Sequence, residues 1–151
     1  MKHIWIFLAA VLGSMLLYNG TDAAKLAPAQ VVCVQSADGV VTVRTDLGNM
    51  GRGKDLEQAF LDLEDTTPAK VFLDTADYLL VDEISRKYLP ELRKWLKGDC
   101  RVCEVGEIQD LETAAIYLVA HPPKPKLRDL AGEESALPYL TETEERFCLK
   151  E

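Results

Sequence analysis

The stretch that most constrains the fold is VVCVQSADGVVTVRT, residues 31–45. Two runs rich in β-branched residues flank Asp38-Gly39, a dipeptide that supplies the positive-φ positions of a tight hairpin turn. A two-residue loop sets the register: Val34 opposite Val43, and Gln35 opposite Thr42. Side chains alternate along a strand, so Val32, Val34, Val41 and Val43 share one face. Cys33, Gln35, Thr42 and Arg44 share the other, which is the more polar. A slip of one residue would turn the valines outward, so this register is strongly specified.

Elements follow at short intervals. Gly48, Gly51 and Gly53 read as a flexible connection and do not make a dinucleotide fingerprint, because no strand–turn–helix context surrounds them. Residues 55–65, DLEQAFLDLED, carry Leu56, Ala59, Phe60 and Leu63 at helical spacing, with Asp55 and Gln58 as a capping box and Thr66-Thr67-Pro68 as the stop. Residues 69–82 hold two apolar runs, Val71–Leu73 and Tyr78–Val81. They read as strand, turn, strand. The second is apolar throughout, as suits a strand covered on both faces. Residues 83–97 read as helix with Ile84, Leu89, Leu92, Trp95 and Leu96 inward. Pro90 either kinks it or sits in the first turn of a second helix, and Gly98 stops it. Arg101–Val105 is a short strand. Residues 107–120 keep a helical period through Ile108, Leu111, Ala115, Leu118 and Val119, although 114–120 alone also suits a strand. The fold expected is α/β (mixed α+β): a hairpin followed by α-β-α-β-α, a small mixed sheet covered by helices.

The first residues, MKHIWIFLAAVLGSMLLYNGTDAAKLAPA, place one lysine before an apolar run from Ile4 to Tyr18, with small residues after it. That is the order of a secretory signal, and the run is short for a membrane span. The expected organisation is a signal peptide or N-terminal anchor over 1–24, one domain over 25–120, and a Pro-rich linker (HPPKPK, 121–126) with an acidic, loosely held tail to 151. Leu127–Ser135 within that tail suits a short helix. The expected location is extracytoplasmic, secreted or held at the outer face of the membrane through Ile4–Tyr18. The net charge of −8 argues against binding nucleic acid through bulk electrostatics.

The chemistry-bearing residues are few. Cys100 and Cys103 form a C-x-x-C, the spacing of redox and zinc sites. In a strand, residues three apart point to opposite faces, and Asp99 beside the pair disfavours a thiolate. Four cysteines in an exported chain favour disulfides among Cys33, Cys100, Cys103 and Cys148, with free buried thiols packing as small apolar residues as the alternative. Either Cys100 or Cys103 could bridge to Cys33, and Cys148 could pin the C-terminus. A zinc site would need the same four, with His121 as the other soft ligand. Asp74 and Asp77 read as a solvated turn. Asp62, Glu64 and Asp65, like Glu142, Glu144 and Glu145, read as solvated acidic clusters. Ser36, Ser85 and Ser135 have no nucleophile-elbow context. His121 abuts Pro122-Pro123 and reads as a surface residue, and Trp95 sits at core spacing.

Residues 53–106, GKDLEQAFLDLEDTTPAKVFLDTADYLLVDEISRKYLPELRKWLKGDCRVCEVG, together with the hairpin before them, resemble the N-terminal domain of the Ger(x)C family. These are spore germination proteins, components of the nutrient germinant receptors of endospore-forming bacteria. The similarity spans residues 31 to about 110 and lies in the apolar runs and their spacing. It implies an extracytoplasmic location, membrane attachment, a non-enzymatic role and integral-membrane receptor subunits as partners. The function expected is therefore an exported, non-catalytic binding domain of the cell envelope, with no catalytic residue and no cofactor. The competing expectation is an extracytoplasmic thiol-disulfide or metal-binding protein using Cys100 and Cys103.

Overall fold

The computed structural model describes residues 26–68, 70–130, 135–143 and 146–151. The leader, residues 131–134 of the expected short helix, Glu144 and Glu145 lie outside them. The protein is a mixed α+β domain built on a seven-stranded sheet. Its strands are β2 (Val31–Ala37), β3 (Val40–Thr45), β4 (Met50–Gly53), β6 (Tyr78–Val81), β7 (Arg101–Val105), β8 (Tyr139–Thr143) and β9 (Arg146–Lys150), in the order β4-β3-β2-β6-β7-β8-β9. The four central strands β2, β6, β7 and β8 are parallel, and an antiparallel strand or hairpin extends the sheet at each side. A separate parallel pair joins β1 (Leu26–Pro28) to β5 (Lys70–Phe72).

The hairpin has the expected register, Val34 opposite Val43 and Gln35 opposite Thr42. Asp38 and Gly39 take φ of 52° and 77° at its turn. The valine face lies under α1 (Leu56–Thr66), which buries Leu56, Ala59, Phe60 and Leu63 against it. Asp55 caps α1 by accepting from the Gln58 N–H at 2.8 Å. Gly51 and Gly53 are not a flexible connection: they form β4, directly beneath α1. A Cβ on Gly51 would stand 2.2 Å from the Ala59 carbonyl oxygen and 2.4 Å from the Leu63 nitrogen. Here glycine serves a close approach of strand to helix.

The same apolar layer continues over β6 and β7 through Leu79, Val81 and Val102, packed beneath Leu89, Leu92 and Leu96. Residues 84–96 do not make one helix. A 3₁₀ segment, Ile84–Tyr88, leads into the short α2 (Leu89–Leu92), with Pro90 in its first turn. The tighter 3₁₀ winding rotates Ile84 outward, where it is 58% exposed.

The opposite sheet face carries Val31, Cys33, Tyr78, Leu80, Cys103, Val105 and Leu140, covered by α3 (Leu111–Ala120) through Leu111, Ala114, Ala115 and Leu118. Residues 114–120 are thus helical, and Val119, expected inward, is exposed. The polar end of the hairpin face is also used. Gln35 Nε2 donates to the Gly106 carbonyl at 2.9 Å, and the Arg44 guanidinium donates to Gln35 Oε1 and to the Ile108 carbonyl. These bonds hold the loop that delivers α3.

Residues 121–151 are not a linker and tail. Pro123 is buried, and Pro125 to Leu127 bond to β7: Val102 N–H donates to the Pro125 carbonyl and Leu127 N–H to the Cys100 carbonyl. The chain passes there from the α3 face to the other, where Leu127 and Leu130 join the α1 layer. It then returns as β8 and β9 to complete the sheet, with Leu140 in the α3 layer. Few apolar residues suffice, because only one face of this hairpin is covered.

Candidate binding surface

The alternation of β7 disposes of the C-x-x-C as a single site. Cys100 packs in the α1 layer and Cys103 in the α3 layer. Cys33 and Cys103 do share a face, but both register against Leu80 of the intervening β6, so a strand separates them. Cys148 is exposed on β9. All four thiols are free, and the expected bridges from Cys33 and Cys148 have no partner within reach. Burial pushes the Cys33 thiol up to about 12 despite the nearby Arg44 guanidinium, and pushes Cys100 up to about 12. Burial raises Cys103 further. Neutral, buried thiols on two faces suit packing rather than thiol exchange or a shared metal. Among the described residues, no group of three or more His, Cys, Asp or Glu is placed to hold a metal ion.

The other singled-out residues are engaged in the scaffold. Asp77 pairs with Lys97 at 2.5 Å, and Asp74 lies in an exposed 3₁₀ turn. Asp62 accepts from the Arg52 N–H, and Glu142 from the Gln109 N–H. His121 is exposed and stacks on Tyr117, with centroids 4.6 Å apart. Trp95 stacks on Phe60 at 4.5 Å in the core. The Ser135 carbonyl accepts from the Arg86 guanidinium, which also pairs with Glu104 at 3.2 Å. Asp82, just after β6, accepts from the N–H groups of Ser36 and Ser85, whose hydroxyls meet at 2.8 Å.

Among the described residues, the two borders of the sheet are treated differently. At the β4 border, α1 side chains take the outward backbone groups: Arg52 N–H donates to Asp62 Oδ2 at 2.7 Å, and Thr66 Oγ1 donates to the Met50 carbonyl at 3.2 Å. The β9 border is treated differently. Its hairpin register pairs Thr143 with Arg146 and Thr141 with Cys148, so the backbone groups of Phe147 and Leu149 face away from β8. Of these, the Leu149 N–H donates to the Tyr117 hydroxyl at 3.0 Å. Beside the end of β9 lies a mainly apolar groove of about 240 Å³, walled by Pro123, Pro125, Leu137, Pro138 and Leu149. The strand's other face presents Arg146, Cys148 and Lys150 to solvent. Sequence reasoning missed this surface. The Phe147/Leu149 alternation within TETEERFCLKE was its only signal.

No helix among the described residues is long and apolar enough to cross a membrane. Comparison of the chain with family models, with curated proteins and with solved structures returns no match.

Proposed function

We propose that this chain is an exported, non-catalytic binding domain of the cell envelope that takes an extended segment of a partner protein along β9. The observation that carries the reading is the contrast between the two sheet borders: one is closed by α1, and at the other the outward groups of Phe147 and the Leu149 carbonyl have no partner among the described residues and lie next to an apolar groove. Strand addition at such a border gains affinity from backbone hydrogen bonds and specificity from side-chain pockets. A second copy is a poor occupant. Antiparallel self-pairing centred on Cys148 sets Arg146 opposite Lys150, and like charges directly opposite are destabilising. The complementary occupant carries carboxylates opposite those cations and an apolar side chain for the groove. The secretory order of the first 24 residues and the resemblance to the Ger(x)C N-terminal domain support an envelope partner, with integral-membrane germinant receptor subunits as the class to test first.

A photo-crosslinker attached to Cys148 reads this out on the envelope fraction of the producing cell. The expected result is one crosslinked integral-membrane polypeptide, lost in Phe147→Pro. That variant removes an outward N–H that has no partner among the described residues while sparing the β8–β9 ladder. Crosslinking that survives Phe147→Pro, or that never forms, overturns the reading. The germination form has its own test: spores of a deletion strain that germinate normally with every nutrient would remove it.

A further inference from the structure

Four strands along from β9, the carboxyl end of β2 carries a cavity of about 250 Å³ between the hairpin turn and the 3₁₀ segment Ile84–Tyr88. Open parallel sheets hold ligands outside the carboxyl ends of their strands, and this volume is at the small end for a ligand pocket. Its lining combines two kinds of group that a scaffold alone does not account for.

The first is unsatisfied donor capacity. Lys54 and Lys87 both line the cavity. Neither is in an ion pair among the described residues, so both ammonium groups are available to a ligand. Lys87 Nζ lies 4.9 Å from the ring centroid of Tyr88, which also lines the cavity. Ser36 supplies a third donor. Its hydroxyl and that of Ser85 share one hydrogen bond, so one of the two protons is left over. Ser85 is fully buried, with no other acceptor for its hydroxyl among the described residues, whereas Ser36 lines the cavity. Leaving the spare proton on Ser85 would strand a buried donor. The arrangement that avoids this has Ser85 donating to Ser36, which leaves the Ser36 O–H free to turn to the cavity that Ser36 lines.

The second is exposed apolar surface. Val40 and Ile84 flank the same opening and are 41% and 58% exposed. Asp38 also lines the cavity and the Asp82 carboxylate sits on the Ser36 N–H beside it, so two carboxylates already face the two lysines. A singly charged, partly apolar anion suits such surroundings better than a dianionic phosphate.

We infer that the cavity formed by Ser36, Lys54 and Lys87, with Val40 and Ile84 beside it, binds a small organic monocarboxylate: the carboxylate accepts from the three donors and the aliphatic part lies on Val40 and Ile84. This site is separate from β9, so it stands or falls independently of the partner reading.

Titration of the full chain with sodium butyrate, followed by amide chemical shifts, tests it. Saturable shifts are expected at Ser36, Gly39, Ile84 and Lys87, with affinity lowered about tenfold in Lys54→Gln and in Lys87→Gln. Affinity should be unchanged in Lys94→Gln, an exposed lysine elsewhere. n-Butanol, inorganic phosphate and sodium chloride at matched concentration should give no saturation at these amides. Butyrate shifts that stay linear, affinity in either lysine variant equal to that of the unmodified chain, or saturable binding of phosphate in place of butyrate would each overturn the inference.

Discussion

Gly51→Ala is the substitution whose cost the fold states most directly. A Cβ at residue 51 would lie 2.2 Å from Ala59 O, 2.4 Å from Leu63 N and 2.7 Å from Leu63 Cα. All three are backbone atoms of α1, so no rotamer change relieves the overlap. To restore ordinary contact, α1 must withdraw from β4 by roughly 1 Å, and a gap of that size forfeits about a quarter to a half of the contact energy across it. Leu56, Phe60 and Leu63 are fully buried in this interface, and burial of each is worth about 2 kcal/mol. The expected loss is then about 2 kcal/mol, a fall in midpoint temperature of about 8 °C. Gly39→Ala is the control. Its φ is +77° with nothing within 4 Å of a Cβ, so it carries only backbone strain, about 1 kcal/mol. Adding Ala59→Gly to Gly51→Ala should rescue nothing, since the obstructing atoms are not side-chain atoms. Urea unfolding at unchanged m-value measures all three. If Gly51→Ala is no more destabilising than Gly39→Ala, or if Ala59→Gly restores it, α1 does not lie on β4 as described.

Native alkylation at pH 8 should label one thiol, Cys148, and denaturation should release three more, read by intact mass; more than one native label would contradict the burial of Cys33, Cys100 and Cys103. Burial raises the thiol pKa in the folded state, so the unfolded chain deprotonates first. The stability these thiols contribute is complete below their unfolded value near 9 and is lost as pH rises toward about 12. Each thiol makes unfolding easier by about 1.4 kcal/mol per pH unit in that window, and Cys33→Ala should flatten the alkaline slope by roughly a third. Arg44→Ala strips the guanidinium from Gln35 Oε1 and the Ile108 carbonyl; a loss of about 2 kcal/mol is expected, with faster amide exchange around residues 106–110. Tyr117→Phe removes the acceptor of the Leu149 N–H, so exchange at Leu149 should quicken while that of Cys148, inside the ladder, holds.

The parts of the fold that local rules govern could be read ahead of the structure. Asp38-Gly39 dictates a two-residue turn and with it every pair in the hairpin. Leu56, Ala59, Phe60 and Leu63 dictate one buried helix face. The unbroken apolar run Tyr78–Val81 marks a strand covered on both sides, and strand alternation already separates Cys100 from Cys103. What was misread depends on distant partners. Gly51 and Gly53 look like loop residues because composition cannot show a helix lying on them. β8 and β9 look like an acidic tail because a border hairpin with one covered face needs only Leu140, Phe147 and Leu149 for its core contacts. The β9 surface was hidden for the same reason, and Ser36 meets its hydroxyl partner, Ser85, only across 49 residues of chain.

The path of Pro123 to Leu127 has a mechanical consequence. These residues occupy the flank of β7 below the point where β8 takes over, while the chain on either side is held in opposite apolar layers. A protease that cuts the exposed His121-Pro122 stretch would therefore sever a covalent thread without releasing anything. The larger fragment keeps α3, the smaller keeps β8 and β9, and each still supplies the other with a sheet neighbour. The nicked protein should migrate as one species until denatured, a two-piece assembly whose seam runs through the middle of a single fold.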